Sequence, residues 1–511
     1  MTTREQLAQA RFSHEVHGLH VCETHLSLVV LTGELAYKIK KAVKLDFIDT
    51  TSLETRRLLC EEELRLNRRY APDLYLRVVP IAAKDGALHF QGHGDAVEFA
   101  VQMRQFDASD ELQSLVEHDA VSTAEISALA DCIATFHQSA AELGAENLSG
   151  TLNYLRKVRE NLASVTARAA YIRGETTVAE LGKWTESTLS RIASRLEMRE
   201  RQGFVRECHG DLHSRNVVRW KGALLPFDCI EFDPALRFID VLNDVAFLVM
   251  DLTEKGRRDL AYTLLNRYLE RTGDYDALEL LPSYLVYRAL VRVKVELISC
   301  EQHPEDNNAQ ERAKSYMRTA LALTSPICKP MLVVMNGASG SGKSWLSEQL
   351  VPLLPALRIR SDVERKRLGR MDPFDPRAQP RQDIYTLEFN DRTYSRLLAC
   401  ARECLRAGLT VIVDAAFLKA RERRDFAHLA RAQNAAFLIV SCSADPDALA
   451  RRIAERQSAR NDPSDADEHI MRRQLQTLEP LESDELTVSI EVDTRHPNSL
   501  QRVVDRVRQL A

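Results

Sequence analysis

Between Leu26 and Lys40 the chain reads "LSLVVLTGELAYKIK", two apolar, β-rich runs joined by a glycine turn at Thr32 to Glu34. That pattern predicts a hairpin whose second strand carries Lys38 and Lys40. The next stretch, "SLETRRLLCEEELRLNRR", sets Leu58, Leu59, Leu64 and Leu66 among charges at helical spacing, with Ser52 where an N-cap belongs. From Leu74 to Phe106 alternation returns, with turns at Asp85-Gly86 and near Gly92, so further strands of one antiparallel sheet are expected. Together these elements form a small β-rich lobe.

From Ser109 to about Gln202 the spacing is mainly helical. Short strands "NVVRW" and "ALLPFDCIEF" follow, and more helices run to about Leu323. Residues 324–330, "TSPICKP", hold two prolines and little periodicity, which marks a linker between a first domain of residues 1–323 and a second of residues 331–511. Beyond it, "MLVVMN", "TVIVDAAF", "AAFLIVSCS" and "LTVSIEVD" alternate with helical segments, the signature of a doubly wound parallel sheet.

A chain of 511 residues exceeds what one hydrophobic core usually serves, in keeping with this division. Apolar residues at 45% and charged residues at 28% are those of an ordinary globular protein. The net charge of -5 arises from many charges of both signs and gives no general attraction to nucleic acid or anionic membrane. Ten cysteines are scattered singly, without the paired CxxC groups of a zinc site, and read as reduced thiols. The start, "MTTREQLAQARFSHEVHG", lacks a basic and then apolar leader, and no run is long enough to span a bilayer. A cytoplasmic protein without a membrane partner is expected.

Chemistry enters at "HGDLHSRN", residues 209–216. Phosphoryl transfer needs ATP held in register, metal to neutralise its oxygens, and a carboxylate that orients the acceptor hydroxyl. Asp211 is placed to be that carboxylate and Asn216 to hold magnesium, while Asp228 in "PFDCIEF" supplies a second magnesium ligand twelve residues further on. His209 reads as a brace for the loop. A second "HGD" at His93, Gly94 and Asp95 acts as a control, because the residue five places after that aspartate is Ala100. Asp240 and Asp244 read as caps and braces beneath the loop, and Arg288 and Arg292, on one helical face, as members of buried ion pairs.

This constellation after a β lobe resembles the aminoglycoside phosphotransferase family, which shares the protein-kinase-like fold; the resemblance covers residues 20–323 and rests on "HGDLHSRN" with "FDCIEF". It implies that Lys38 or Lys40 pairs the ATP phosphates and is held by a glutamate of the following helix. The two lysines share one strand face, so the pattern does not separate them. Glu62 is the expected partner, one turn from both Leu58 and Leu66, with Glu61 and Glu63 at its sides. No GxGxxG covers the phosphates; "ETHLSL" stands in that position.

"GASGSGKS", Gly337 to Ser344, matches GxxxxGK[ST] directly after an apolar strand. Backbone N–H groups of Gly337, Ser339, Gly340, Ser341 and Gly342 would face the phosphates, Lys343 would reach the β and γ oxygens, and Ser344 would hold magnesium. Asp362 with Arg365 one turn later suits an acceptor site, as proton acceptor and phosphate clamp. Asp414 ends an apolar strand, where it can orient magnesium or the acceptor. Arg452, Arg456 and Arg460 lead into a polar loop suited to a lid, Arg456 and Arg460 standing nearest it. From Met331 onward the chain resembles small P-loop kinases, including 5'-hydroxyl polynucleotide kinases and their small-molecule relatives.

The expected architecture is an α+β protein-kinase-like bilobal domain followed by an α/β P-loop NTPase domain with a parallel sheet. The pairing resembles a bacterial class of fused kinases. It implies two ATP and Mg2+ sites that transfer the γ-phosphoryl group to hydroxyl acceptors, small molecules first among them. Two other readings stand beside it: a nucleic-acid 5'-hydroxyl kinase with a regulatory first domain, and a non-catalytic ATP-gated regulator.

Overall fold

The structure, a computed structural model, describes residues 3–510 except 25, 46–47, 92–93, 145–148, 304, 326–328, 376–381, 446–448 and 455–467. His93 of the control motif, residues 326–328 of the linker, and Arg456 and Arg460 with their polar loop lie outside the described residues. Packing divides the chain into two compact units, Met1–Lys157 with Leu196–Asp251, and Val158–Arg195 with Leu252–Ala511.

In the first unit the alternating segments form β1 (His20–Glu23), β2 (Ser27–Leu31), β3 (Leu35–Lys40), β4 (Tyr75–Lys84), β5 (Ala87–Phe90) and β6 (Ala96–Arg104). They make one antiparallel sheet in the order β1-β2-β3-β6-β4-β5. The β4–β5 turn uses Asp85 and Gly86, both at positive φ, as a two-residue hairpin requires. Alternation gives β3 two faces: Tyr37 and Ile39 enter a core with Val30, Ile81 and Phe90, while Ala36 turns toward Cys60 and Leu66. Lys38 and Lys40 lie on the Ala36 side. The helix Leu53–Asn67 that covers this side begins where Ser52 Oγ accepts the Thr55 N–H at 3.5 Å.

Strand β7 (Val205–Glu207) pairs with β10 (Phe238–Asp240), and between them β8 (Val217–Trp220) and β9 (Ala223–Pro226) form a hairpin. The loop with "HGDLHSRN" joins β7 to β8, and Asp228 follows β9. The helix Val241–Glu254 starts directly after β10.

The second unit holds β11 (Met331–Asn336), β12 (Ala356–Arg360), β13 (Thr410–Asp414), β14 (Ala436–Ser443) and β15 (Ser489–Asp493). All pair in parallel, in the order β12-β13-β11-β14-β15. Every residue of β11 is buried, as a central parallel strand covered on both faces demands. The helices Arg258–Thr272, Leu281–Gln302 and Asn307–Ala322 belong to this unit as well. Arg292 is buried there against Glu296 at 3.3 Å and over the Tyr316 ring, and buried Arg288 lies over Tyr287.

The antiparallel lobe, its charged helix and the loop-hairpin order are those of an α+β protein-kinase-like fold; the five parallel strands are those of an α/β P-loop domain. Among the described residues no helix is long and apolar enough to cross a membrane, and the cysteines are free thiols.

Candidate functional site

Two sites take shape, one in each unit. In the first, Lys38 Nζ lies 2.8 Å from Glu63 Oε1 and also pairs with Asp228, while Lys40 Nζ lies 2.5 Å from Glu63 Oε2 and also pairs with Glu231. Glu63 thus holds both lysines, and the expectation that Glu62 would do so is corrected. The inward stripe of the helix is Arg56, Cys60, Glu63 and Asn67, whereas Leu58, used to orient the prediction, is 51% exposed. Glu62 stands about 100° round the helix from Glu63. It meets Arg65 and Arg237, each at 2.7 Å.

Burial opposes charge throughout this cluster, yet the paired ions outweigh it. Burial would raise the Glu63 carboxyl, but Lys38 and Lys40 bring it down to about 2. Burial likewise works against the Lys38 ammonium, which Asp228 and Glu63 nonetheless hold well above the ordinary lysine range. The lysines differ in access: the Lys38 side chain is 15% exposed and touches Asp228, whereas Lys40 is 4% exposed and enclosed by two buried glutamates. The geometry therefore separates them where the pattern did not.

The loop that follows is fixed from beneath. His209 donates from Nε2 to the Phe227 carbonyl at 2.8 Å and accepts the Asp211 N–H at Nδ1 at 3.3 Å, which selects one neutral tautomer. Burial depresses its pKa below the usual histidine value. The buried Asp244 carboxylate accepts the N–H groups of His209 and Gly210 at 3.0 and 2.9 Å, and His137 Nε2 lies 3.1 Å from it. His137, Cys208 and Asp244 could reach one ion, but these bonds already commit the carboxylate to the backbone. Asp240 pairs with buried Arg199 at 2.6 Å and accepts the Leu242 N–H, so it caps and braces as the sequence implied.

On this platform Asn216 Nδ2 donates to the Asp211 carbonyl at 2.9 Å and to Asp211 Oδ2 at 3.1 Å. His213 Nε2 lies 3.4 Å from that same oxygen. Asp228 sits at φ 64°, with its N–H donating to Tyr75 Oη at 3.1 Å. The Asp211 and Asp228 side chains are 35% and 39% exposed, so the two carboxylates open to solvent while their supports are buried. Glu231 escaped the sequence reading although it stands three residues after Asp228; the signal was present in "FDCIEF".

In the second site the glycine loop leaves β11 and enters the helix Lys343–Leu353. A Cβ at Gly337 would come within 2.4 Å of the Cys442 carbonyl, and one at Gly342, φ 87°, within 2.5 Å of Thr494 Oγ1. Only glycine fits either place. Ser339 N–H donates to Gln474 Oε1 at 2.7 Å, the Gly340 carbonyl accepts from Arg452 at 3.3 Å, and the Ser341 carbonyl accepts from Thr494 at 2.9 Å. Lys343 Nζ donates to the Ala338 carbonyl at 2.8 Å, folded along the loop.

A cavity of about 650 Å³ opens at this loop, and Lys343, Ser344, Asp362, Arg365 and Asp414 all line it. Asp414 is buried, its Oδ2 lacks a hydrogen-bond partner among the described residues, and Arg360 Nε stands 3.9 Å away. A serine hydroxyl and a carboxylate with an unused oxygen are hard donors of the kind magnesium takes. Arg365 donates to the Ile384 carbonyl at 3.0 Å and to Asn390 Oδ1 at 2.9 Å, so its guanidinium also builds the cavity wall. Trp345, directly after the glycine motif, lines the same cavity, as do Asn390 and Arg473, from helices whose sequences carry no motif to announce them.

A family model described as an AAA domain matches residues 332–481, the P-loop region. The uncharacterized protein Rv2004c of Mycobacterium tuberculosis is 30% identical over 454 residues, 87% of each chain. Among solved structures, a choline/ethanolamine kinase family protein from Mesorhizobium loti is 12% identical, covering 61% of this chain and 94% of its own, with a TM-score of 0.34. A gluconokinase from Sinorhizobium meliloti is 21% identical, covering 36% of this chain and 94% of its own, with a TM-score of 0.26. The chain belongs to the family of the mycobacterial protein.

Proposed function

We propose that the protein is an ATP- and magnesium-dependent phosphotransferase with two nucleotide sites, one in residues 1–323 and one in residues 331–511, each passing the γ-phosphoryl group to a hydroxyl of a small molecule. The observation that carries this reading is the junction at Lys38, whose ammonium joins Glu63 to Asp228 in the unit where Asn216 orients Asp211. In the first site Lys38 binds the phosphates, Glu63 holds Lys38, and Asp211 takes the acceptor proton as the acceptor oxygen bonds to the γ-phosphorus and ADP leaves. Asn216 and Asp228 are the residues that would hold magnesium; bound there, it would neutralise phosphate charge.

In the second site the glycine-loop N–H groups and Lys343 bind the phosphates, Ser344 and Asp414 would hold magnesium, and Asp362 takes the acceptor proton. Arg365 fixes the acceptor side. A cavity of about 650 Å³ is of the size usual for small-molecule sites. The test is to incubate the full chain with γ-labelled ATP and a panel of sugars, amino alcohols, nucleosides and oligonucleotide ends. Label on a small-molecule hydroxyl supports the proposal. Label confined to oligonucleotide ends favours the nucleic-acid reading, and ATP binding without transfer to any acceptor refutes catalysis.

A further inference from the structure

Strand β12 is an edge of the parallel sheet, and an edge strand leaves backbone N–H groups without a ladder partner. Here the helix Arg258–Thr272 covers it. Asn266 Oδ1 accepts the Arg358 N–H at 2.6 Å, and buried Glu270 receives the Arg358 side chain at 3.2 Å. The same guanidinium continues inward and donates from Nη1 to the carbonyl of Ser344 at 3.2 Å. Ser344 is the serine that closes the glycine-loop motif, in the first turn of its helix.

The same helix end also grips the acceptor side. Arg367, on the helix Ser361–Leu368 that carries Asp362 and Arg365, pairs with Glu364 and donates to the Glu270 carbonyl. Arg396 donates to the Gly273 carbonyl at 2.9 Å and to Glu364 at 3.1 Å. One segment, Asn266 to Gly273, therefore holds Arg358, which reaches Ser344 in the cavity wall, and also Arg367 and Arg396, which meet at Glu364 on the helix that carries Asp362 and Arg365. The periodicity of the sequence allots that segment to the domain before the linker.

We infer that Glu270 and Arg358 are positioning residues of the P-loop site: Glu270 orients Arg358, and Arg358 sets the first helical turn and with it the Ser344 hydroxyl. The inference rests on the proposed nucleotide role of that site. Bonds of this kind around ligating groups are worth about 10- to 100-fold in metal affinity when removed. A P-loop region cut away at the linker would lack this support.

The test uses the full chain and mant-ATP, titrated with and without magnesium, taking as P-loop binding the part lost in Lys343→Ala. Glu270→Gln is expected to weaken magnesium-dependent binding about tenfold while changing metal-free binding much less. Arg358→Lys keeps a cation beside Glu270 without the fork that spans to Ser344, and is expected to show the same selective loss with less effect on unfolding. Unchanged magnesium-dependent binding in Arg358→Lys overturns the inference, even if Glu270→Gln fails to fold. Equal loss with and without magnesium overturns it too, since general loosening would act on both. If Lys343→Ala binds mant-ATP as well as the unaltered chain does, the nucleotide role itself fails.

Discussion

Lys38 Nζ lies 2.8 Å from the carboxylate of Glu63, while the neighbouring Glu62 turns away to Arg65 and Arg237. One residue along a helix thus separates a fully buried ion partner from a partly exposed one. Glu63→Gln should leave each lysine with one of its two carboxylate partners, destabilising the protein by about 1.5–3 kcal/mol and removing first-site transfer. Glu62→Gln, at a partly exposed pair, should cost about 1 kcal/mol or less and spare transfer. Urea unfolding beside first-site kinetics checks both.

The two lysines should also divide by role. Lys38 reaches Asp228 and retains some exposure, so Lys38→Met should lower first-site kcat/KM about 100-fold. Lys40 is enclosed by Glu63 and Glu231, so Lys40→Met should act mainly on the unfolding midpoint. Comparable losses of kcat/KM in folded samples of both variants would count against the division.

The depressed Glu63 carboxyl has a consequence for acid stability. A carboxylate whose folded pKa is about 2, against an ordinary value of 4.5, adds stability that is complete above about 4.5 and is lost as pH falls toward about 2. The stability advantage of the unaltered chain over Glu63→Gln should therefore be level from pH 7 to about 4.5 and shrink below it. An advantage that grows on acidification would show the opposite linkage.

At the glycine loop, Gly342→Ala would force a Cβ against Thr494 at positive φ. ATP binding by the P-loop site should fall by at least about tenfold, with first-site transfer unchanged. Pairing it with Thr494→Ala relieves the contact but not the backbone conformation, so recovery should be partial. Full recovery would assign the whole effect to the clash.

Strand alternation made the β lobe and the parallel sheet legible, and the glycine motif lay where its strand and helix required. What escaped the pattern depended on side chains meeting across elements. Leu58 looked like an inward residue, although the stripe through Arg56, Cys60, Glu63 and Asn67 is the buried one and is largely polar. Apolar periodicity cannot orient a helix whose buried face carries charges. The bond from Arg358 to Glu270 was equally silent, because nothing in either local stretch records the partner. His209, by contrast, was legible as a brace, since a histidine beside a tight glycine turn has backbone groups within reach.

Two separate phosphotransfer sites on one chain should respond independently to reciprocal inactivation. Labelled-ATP transfer is measured for the full chain, for Asp211→Ala and for Lys343→Ala, against acceptors of both sites. Asp211→Ala should abolish transfer to one acceptor and spare the other, and Lys343→Ala should do the reverse. Loss of both transfers in either folded variant would contradict that independence.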